Sequence, residues 1–339
     1  MISYSNWSVL TVSFMVTLSL SFAGIALSAV LYLVGAKWRF EIRQLAVTLS
    51  AMFPLAFVLL IILLLGAEHT FPWIGHTSHG EDLHMPGWYT LPLLATREIV
   101  GLLFVMYLSW IFIKRQSVSE RSAEDAASFH RIACWIPFFY VLYCTMVAWD
   151  FEMTLKPSWH SAIYGMQNMV SNFNMFLSFM VIWIYVLNTR DKLVNQVKEY
   201  IYNYLAQMML AFTLLWMYTF FAQYLTIWYG NFADEVDRIM DMQNRDYTVL
   251  WWSMIFLKFV IPFVTLALPK SRHSPQVILA VAGCIITGTL FERYTWISGA
   301  INGTGTIPVV WGIVVFSIVA FIGYKLVGGA MRRNHLIKG

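Results

Sequence analysis

Residues 9–36 read VLTVSFMVTLSLSFAGIALSAVLYLVGA, without one charged side chain. About 20 helical residues cross a hydrocarbon core of about 30 Å, so this stretch can traverse a bilayer as a single helix. Residues 1–8 carry no Lys or Arg and the apolar run continues to Val34, which predicts a retained span and not a cleaved signal peptide. Working outward, further runs of the same character follow at 45–67, 91–113, 132–149, 161–187, 201–229, 248–268, 275–297 and 308–328, nine with the first. Composition agrees, because 59% of the 339 residues are hydrophobic and 12% are charged, where a soluble domain carries roughly 25% charged residues. The expected fold is all-α, a polytopic transmembrane helix bundle forming one integral membrane domain over 1–339 with no soluble module.

The connections sort by charge. If the amino terminus lies outside, the inside segments hold Lys37, Arg39, Arg43, Lys114, Arg115, Arg121, Arg131, Arg190, Lys192, Lys198, Lys270, Arg272, Lys325, Arg332, Arg333 and Lys338. The outside segments hold only Lys156, Arg238 and Arg245. Basic residues concentrate on the cytoplasmic side of membrane proteins, so this bias predicts an outside amino terminus and an inside carboxyl terminus, which an odd span count requires. The net charge of +4 is scattered over short loops and forms no nucleic-acid patch.

Redox metal chemistry in this chain is not expected. Cys134, Cys144 and Cys284 are isolated and fall in predicted spans, and no CxxCH or iron-sulfur spacing exists. The eight His fall at loops or span ends, with His69 and His160 near the outer surface the only pair placed to approach a haem.

Ionisable groups inside hydrocarbon are costly, about 2.5 to 3.5 kcal/mol on insertion scales, and mark functional positions. Arg97 and Glu98 fall roughly 10 Å below the outer boundary of the third span at 1.5 Å per residue. Adjacent helical residues diverge by about 100°, so these two should pair with other helices and not with each other. Lys258 falls near the midplane, about 15 Å down the seventh span, and needs water or a carboxylate partner. Glu292 and Arg293 are expected near the outer end of the eighth span, in partial contact with water. In the fifth span His160, Tyr164, Asn168 and Ser171 share one face, with Asn172 beside them, while the sixth offers Gln207, Tyr218, Gln223 and Tyr224. Such groups suit a quinol pocket or a proton half-channel. Single amides and hydroxyls more often bridge helices.

The segment 114–130 reads as a solvated inner connector of mixed charge. Outside, 68–90 holds four His, and 230–247 holds Asp234, Glu235, Asp237, Asp241 and Asp246, an acidic face suited to a basic partner or simply the acid-tolerant side of a membrane protein. Trp73, Trp88, Trp149, Trp159, Trp228, Trp251, Trp252 and Trp296 cluster near the outer boundary, where most are expected to anchor the chain in the interface. Pro54, Pro137 and Pro262 should kink their spans.

Four stretches carry a family resemblance. LYLVGAKWRFEIRQLA (31–46), MPGWYTLPLLATREIVGLLFVMYLSW (85–110), WDFEMTLKPSWHSAIYG (149–165) and LLWMYTFFAQYLTIWYGNFADE (214–235) resemble, in order, blocks of the NrfD-like (polysulfide-reductase-type) membrane subunits, most closely the ActF branch found in alternative complex III. In the third block Asp150, Met153, Leu155, Pro157, Trp159, Ser161, Ile163, Tyr164 and Gly165 keep the family's places. The chain departs at Lys156, Ser158, His160 and Ala233, and nine spans stand where ten are usual.

The resemblance implies two four-helix bundles side by side in a bacterial cytoplasmic (inner) membrane. It also implies a sister NrfD-like subunit, small membrane subunits, and iron-sulfur and multihaem and monohaem cytochrome c subunits on the outer, periplasmic face. Menaquinol or ubiquinol would be oxidised near that face, with haem c and iron-sulfur clusters held by the partners and none by this chain. The residues expected to line the quinone or proton pathway are Arg97, Glu98, Asp150, His160, Tyr164, Asn168, Gln223, Lys258, Glu292 and Arg293. Two other readings stand beside this one: a purely structural anchor for electron-transfer subunits, and a secondary transporter, which would show inverted repeats that the chain lacks.

Overall fold

A computed structural model describes residues 4–76, 87–244, 246–299 and 308–338. Nine of its helices are long and apolar enough to cross a membrane: α1 (Tyr4–Leu33), α2 (Arg39–Leu65), α3 (Leu91–Val118), α4 (Ala123–Met153), α5 (Tyr164–Thr189), α6 (Tyr200–Gly230), α7 (Thr248–Ala267), α8 (Pro275–Ser298) and α9 (Val309–Arg333). The chain is thus an all-α, multi-pass membrane bundle, as the hydropathy pattern requires. Every backbone polar group in hydrocarbon must be satisfied within its own segment, and helices do this.

The helices pack in chain order into two groups of four. In the first, α1 lies against α2 and α4, and α3 against α4; in the second, α5 lies against α6 and α8, and α7 against α6 and α8. The groups meet where α4 packs on α5 and α1 packs on α5 and α8, while α9 returns to lean on α1 and α2. Burial follows position: 89% of the apolar window of α1 is buried, against 11% for α9. The small and hydroxylated residues of α1 suit its central place. Ser13, Thr17 and Ser21 each donate to the carbonyl four residues back, at 2.7–2.8 Å, so their hydroxyls cost nothing to bury. Gly24 lets α2 approach so closely that a Cβ there would lie 2.1 Å from the Ala46 carbonyl oxygen.

Three segments differ from expectation. The inner connector at 114–130 is largely helix, because α3 runs to Val118 and α4 starts at Ala123, leaving four residues between them. Hydropathy ends where the lipid ends, but a helix can extend into water when its start is capped, and Ser122 Oγ accepts the Asp125 N–H at 3.1 Å. The acidic outer segment is also helical over Ala233–Asn244, with Ile239 and Met242 buried beneath it. The outer Trp residues divide: Trp73, Trp159, Trp251 and Trp296 are core residues, whereas Trp228 and Trp252 are exposed at the rim as anchors would be. Indole at membrane-boundary depth can face inward as well as outward, and sequence depth alone does not distinguish the two.

The prolines mark local irregularities. Pro54 follows a 3₁₀ segment at Leu49–Met52, and Pro262 follows a π-helical turn at Phe256–Val260. Proline clashes with the carbonyl four residues earlier, here that of Lys258, and the wider turn relieves the clash. Pro137 sits inside α4 without ending it.

Candidate functional site

The outer end of α4 widens into a second π-turn, Trp149–Met153, closed by Thr154 N–H to the Trp149 carbonyl at 2.9 Å and by Thr154 Oγ1 to the Asp150 carbonyl at 2.7 Å. Residues two apart on such a turn point to nearly opposite sides. Asp150 therefore faces the first bundle and Glu152 the second, and both are fully buried at the seam.

Asp150 anchors the first network. Arg97 of α3 donates to both its carboxylate oxygens at 2.5 Å, and Trp88 Nε1 donates to it at 2.8 Å. The Arg97 guanidinium also lies 3.9 Å from the centre of the Trp88 ring and donates to the Trp88 carbonyl. Glu98 is fully buried beside Asp150; Tyr143 of α4 donates to its Oε2 at 3.5 Å, and its Oε1 is without a partner among the direct hydrogen bonds described. Gly101, one turn on, admits the Tyr143 ring, since a Cβ there would meet it at 2.7 Å. Beside this network a cavity of about 400 Å³ lies between α3 and α4, walled by Trp88, Phe104, Tyr143 and Trp149.

Glu152 anchors the second. Arg293 of α8 donates to its two oxygens at 2.8 and 2.6 Å, Tyr164 of α5 donates at 2.7 Å, and Asn168 makes a short bond to the same carboxylate. One turn deeper, Glu292 occupies the middle of the second bundle and takes a donor from each of the other three helices. These are Ser171 of α5 at 2.5 Å, Trp216 Nε1 of α6 at 2.9 Å, and Lys258 of α7 in a short ion pair. Lys258 also donates to Ser171 Oγ at 2.6 Å and lies 4.3 Å from the centre of the Trp216 ring. Gly288 opens the channel for its stem, because a Cβ there would stand 2.6 Å from Lys258 Cγ. Arg293 Nη2 lies 3.2 Å from Glu292 Oε1, so the two carboxylates are joined through one guanidinium.

Above these, Arg238 on the Ala233–Asn244 helix is 1% exposed. It lies against Trp159 and Trp296, at 4.5 and 5.0 Å from the ring centres, and donates to the Glu152 carbonyl at 2.8 Å and the Trp296 carbonyl at 3.1 Å. Burial pulls its pKa down to about 10, which still leaves it charged at neutral pH. The second network thus holds three cations, Arg238, Lys258 and Arg293, against two carboxylates, Glu152 and Glu292, all out of water.

Of the sequence-predicted residues, Arg97, Glu98 and Asp150 meet in the first network and Tyr164, Asn168, Lys258, Glu292 and Arg293 in the second. Partial solvation of Glu292 and Arg293 is corrected: both are completely buried, because α5, α6 and the Ala233–Asn244 helix cover the outer end of α8. His160 is also corrected. It is exposed and precedes the helix, which starts at Tyr164, so it does not continue the α5 stripe. Gln223 is buried on the face of α6 that carries Trp216, two turns nearer the outer end, with Oε1 unmatched among the described residues. Gln207 and Tyr218 face outward. His79, His84, Glu81, Asp82 and Arg245 lie outside the described residues.

Two side chains of these networks escape a reading of the sequence. Glu152 lies two residues from Asp150, and a carboxylate pair at a span end is the available signal. Arg238 falls in the acidic outer segment 230–247, although Ile239 and Met242 beside it give that helix an apolar face. No family model matches the chain, and no curated protein matches it significantly in sequence.

Proposed function

We propose that this chain is a membrane subunit of a respiratory quinol:electron-acceptor oxidoreductase of the alternative complex III type, supporting quinol oxidation and proton conduction without a redox centre of its own. The observation that carries the reading is the row of buried ions hinged on the α4 π-turn, from Arg97 and Asp150 through Glu152 and Arg293 to Glu292 and Lys258. Ion pairs at this depth are poor stabilisers compared with apolar packing, which favours a working role over a purely architectural one.

Each part of the row has a task in this reading. The cavity between α3 and α4 falls within the volume range of small-molecule sites, roughly 300 to 1,000 Å³, and offers aromatic walls to a quinol ring, with the Tyr143 hydroxyl and Glu98 behind them. A quinol releases protons as it is oxidised, and Glu98 and Asp150 are the nearest carboxylates to receive them. Electrons leave through haem c and iron-sulfur groups of partner subunits on the acidic outer face, and a sister NrfD-like subunit stands alongside in the inner membrane. The amino terminus is outside and the carboxyl terminus inside, following the charge bias of the loops.

The structural-anchor reading is favoured by one feature, the four donor contacts that satisfy Glu152. Lys258→Met and Asp150→Asn in the intact assembly separate the two. Loss of quinol turnover or of proton release, with subunit composition unchanged, supports the proposal. Unchanged turnover and proton release in both variants refutes it.

A further inference from the structure

A cavity with an almost wholly apolar lining lies away from the ion networks. It is a crevice of about 650 Å³ between α9 and the wall formed by α1, α2, α5 and α8. Along α9 its lining runs from Ile313 to Val327, about 21 Å at 1.5 Å per residue, so it is long, narrow and parallel to the helices. Its walls are aliphatic and aromatic, and Thr17, one of its few hydroxyls, is already bonded to the Ser13 carbonyl. Its other polar groups, the Ser317 and Tyr324 hydroxyls and Trp183 Nε1, are few against a lining that is otherwise hydrocarbon. A saturated chain fits, because it needs only apolar contact over a length exceeding one leaflet, about 15 Å.

The basic end of the crevice has a different character. Trp183 and Tyr324 form its wall there, in edge contact at 6.2 Å, and the Tyr324 hydroxyl accepts a hydrogen bond from Lys192 Nζ at 3.4 Å. Lys325, next in sequence to Tyr324, lies outside the crevice, its Nζ 5.4 Å from the centre of the exposed Phe321 ring. Lys192 has no carboxylate partner among the described residues, whereas neighbouring Lys338 is neutralised by Asp191 at 2.6 Å. One uncompensated ammonium group, that of Lys192, thus stands at the mouth of an apolar slot, on the face where lysine and arginine concentrate. The complement of that arrangement is an anionic headgroup with a hydrocarbon tail.

We infer that the crevice between α9 and α1, α2, α5 and α8 is a binding site for one anionic phospholipid, its acyl chain along α9 and its phosphate at Lys192. The lipid fills the seam through which α9, the least buried helix, is held to the bundle. This inference is independent of the redox reading, since it needs only the bundle and its basic face.

The test is native mass spectrometry of the protein, with whatever chains accompany it, after reconstitution in vesicles of phosphatidylglycerol or of phosphatidylcholine. One retained phosphatidylglycerol per chain is expected, at least tenfold in excess over retained phosphatidylcholine. The excess should fall severalfold in a Lys192→Gln variant and be unchanged in Lys325→Gln, whose ammonium lies outside the crevice. Retention should be lost in Ala320→Trp, which fills the slot. Equal retention of the two lipids, retention of a quinone in place of phospholipid, or retention unaffected by Lys192→Gln would overturn the assignment.

Discussion

Replacing Glu292 with Gln removes the carboxylate on which the second bundle converges. The new amide still accepts from Trp216 or Ser171, so the hydrogen-bonding loss is small, and the main effect is electrostatic: Lys258 is left buried without its counter-charge. Arg293 keeps both bonds to Glu152, which confines the damage to the lysine. Breaking one side of a buried ion pair costs about 3 to 5 kcal/mol. At about 2 °C per kcal/mol for a large chain, the unfolding midpoint in detergent should fall by roughly 6 to 10 °C. Removing the stranded charge as well, in Lys258→Met/Glu292→Gln, should recover about 2 kcal/mol, because contacting residues couple by up to about 3 kcal/mol. Midpoints for the two single variants and the double form the cycle. A Glu292→Gln loss under about 1 kcal/mol, or a double variant equal to the sum of the singles, would show that the pair does not interact as described.

Three further outcomes follow from the geometry. Arg238→Met should leave the Glu152 and Trp296 carbonyls unsatisfied at about 1 to 3 kcal/mol each and raise protease cleavage within residues 233–244, and Arg238→Lys should not restore protection because an ammonium lacks the planar fork. Gly24→Ala should destabilise by about 3 kcal/mol or more, seen as a lower unfolding midpoint, because the obstacle is the Ala46 backbone carbonyl and cannot rotate away. The carboxyl tail is clasped by Lys338, whose hydrogen bond and charge lower the Asp191 pKa; a depressed carboxyl pKa contributes stability above the ordinary value of about 3.9 and loses it as pH falls through the folded value. Hydrogen-exchange protection of residues 334–338, corrected for intrinsic rates, should therefore drop below about pH 4, and Lys338→Ala should abolish the pH dependence.

The nine spans were legible because apolar length is a strong signal that depends on nothing outside each segment. Boundaries were less so where helix persists beyond lipid, as in Ala123–Ile132, since exposed charges look the same in a helix and in a loop. At the site, Lys258 was readable from depth alone: a lysine in mid-membrane requires a partner, and Glu292 is that partner. The burial of Glu292 was not readable, because it depends on how the covering helices fold over the end of α8. Neither π-turn announces itself in sequence. Pro262 hinted at one, but the turn that aims Asp150 and Glu152 at opposite bundles arises from packing at the seam.

The proposed role in quinol oxidation requires an assembly that supplies the electron carriers. Affinity purification of the tagged chain from its native membranes in mild detergent, followed by reduced-minus-oxidised spectra and identification of the accompanying subunits, tests this directly. Co-purifying c-type haem, an iron-sulfur subunit and a second polytopic membrane subunit are the predicted result. A chain that emerges stable, alone and without haem absorbance would contradict the account.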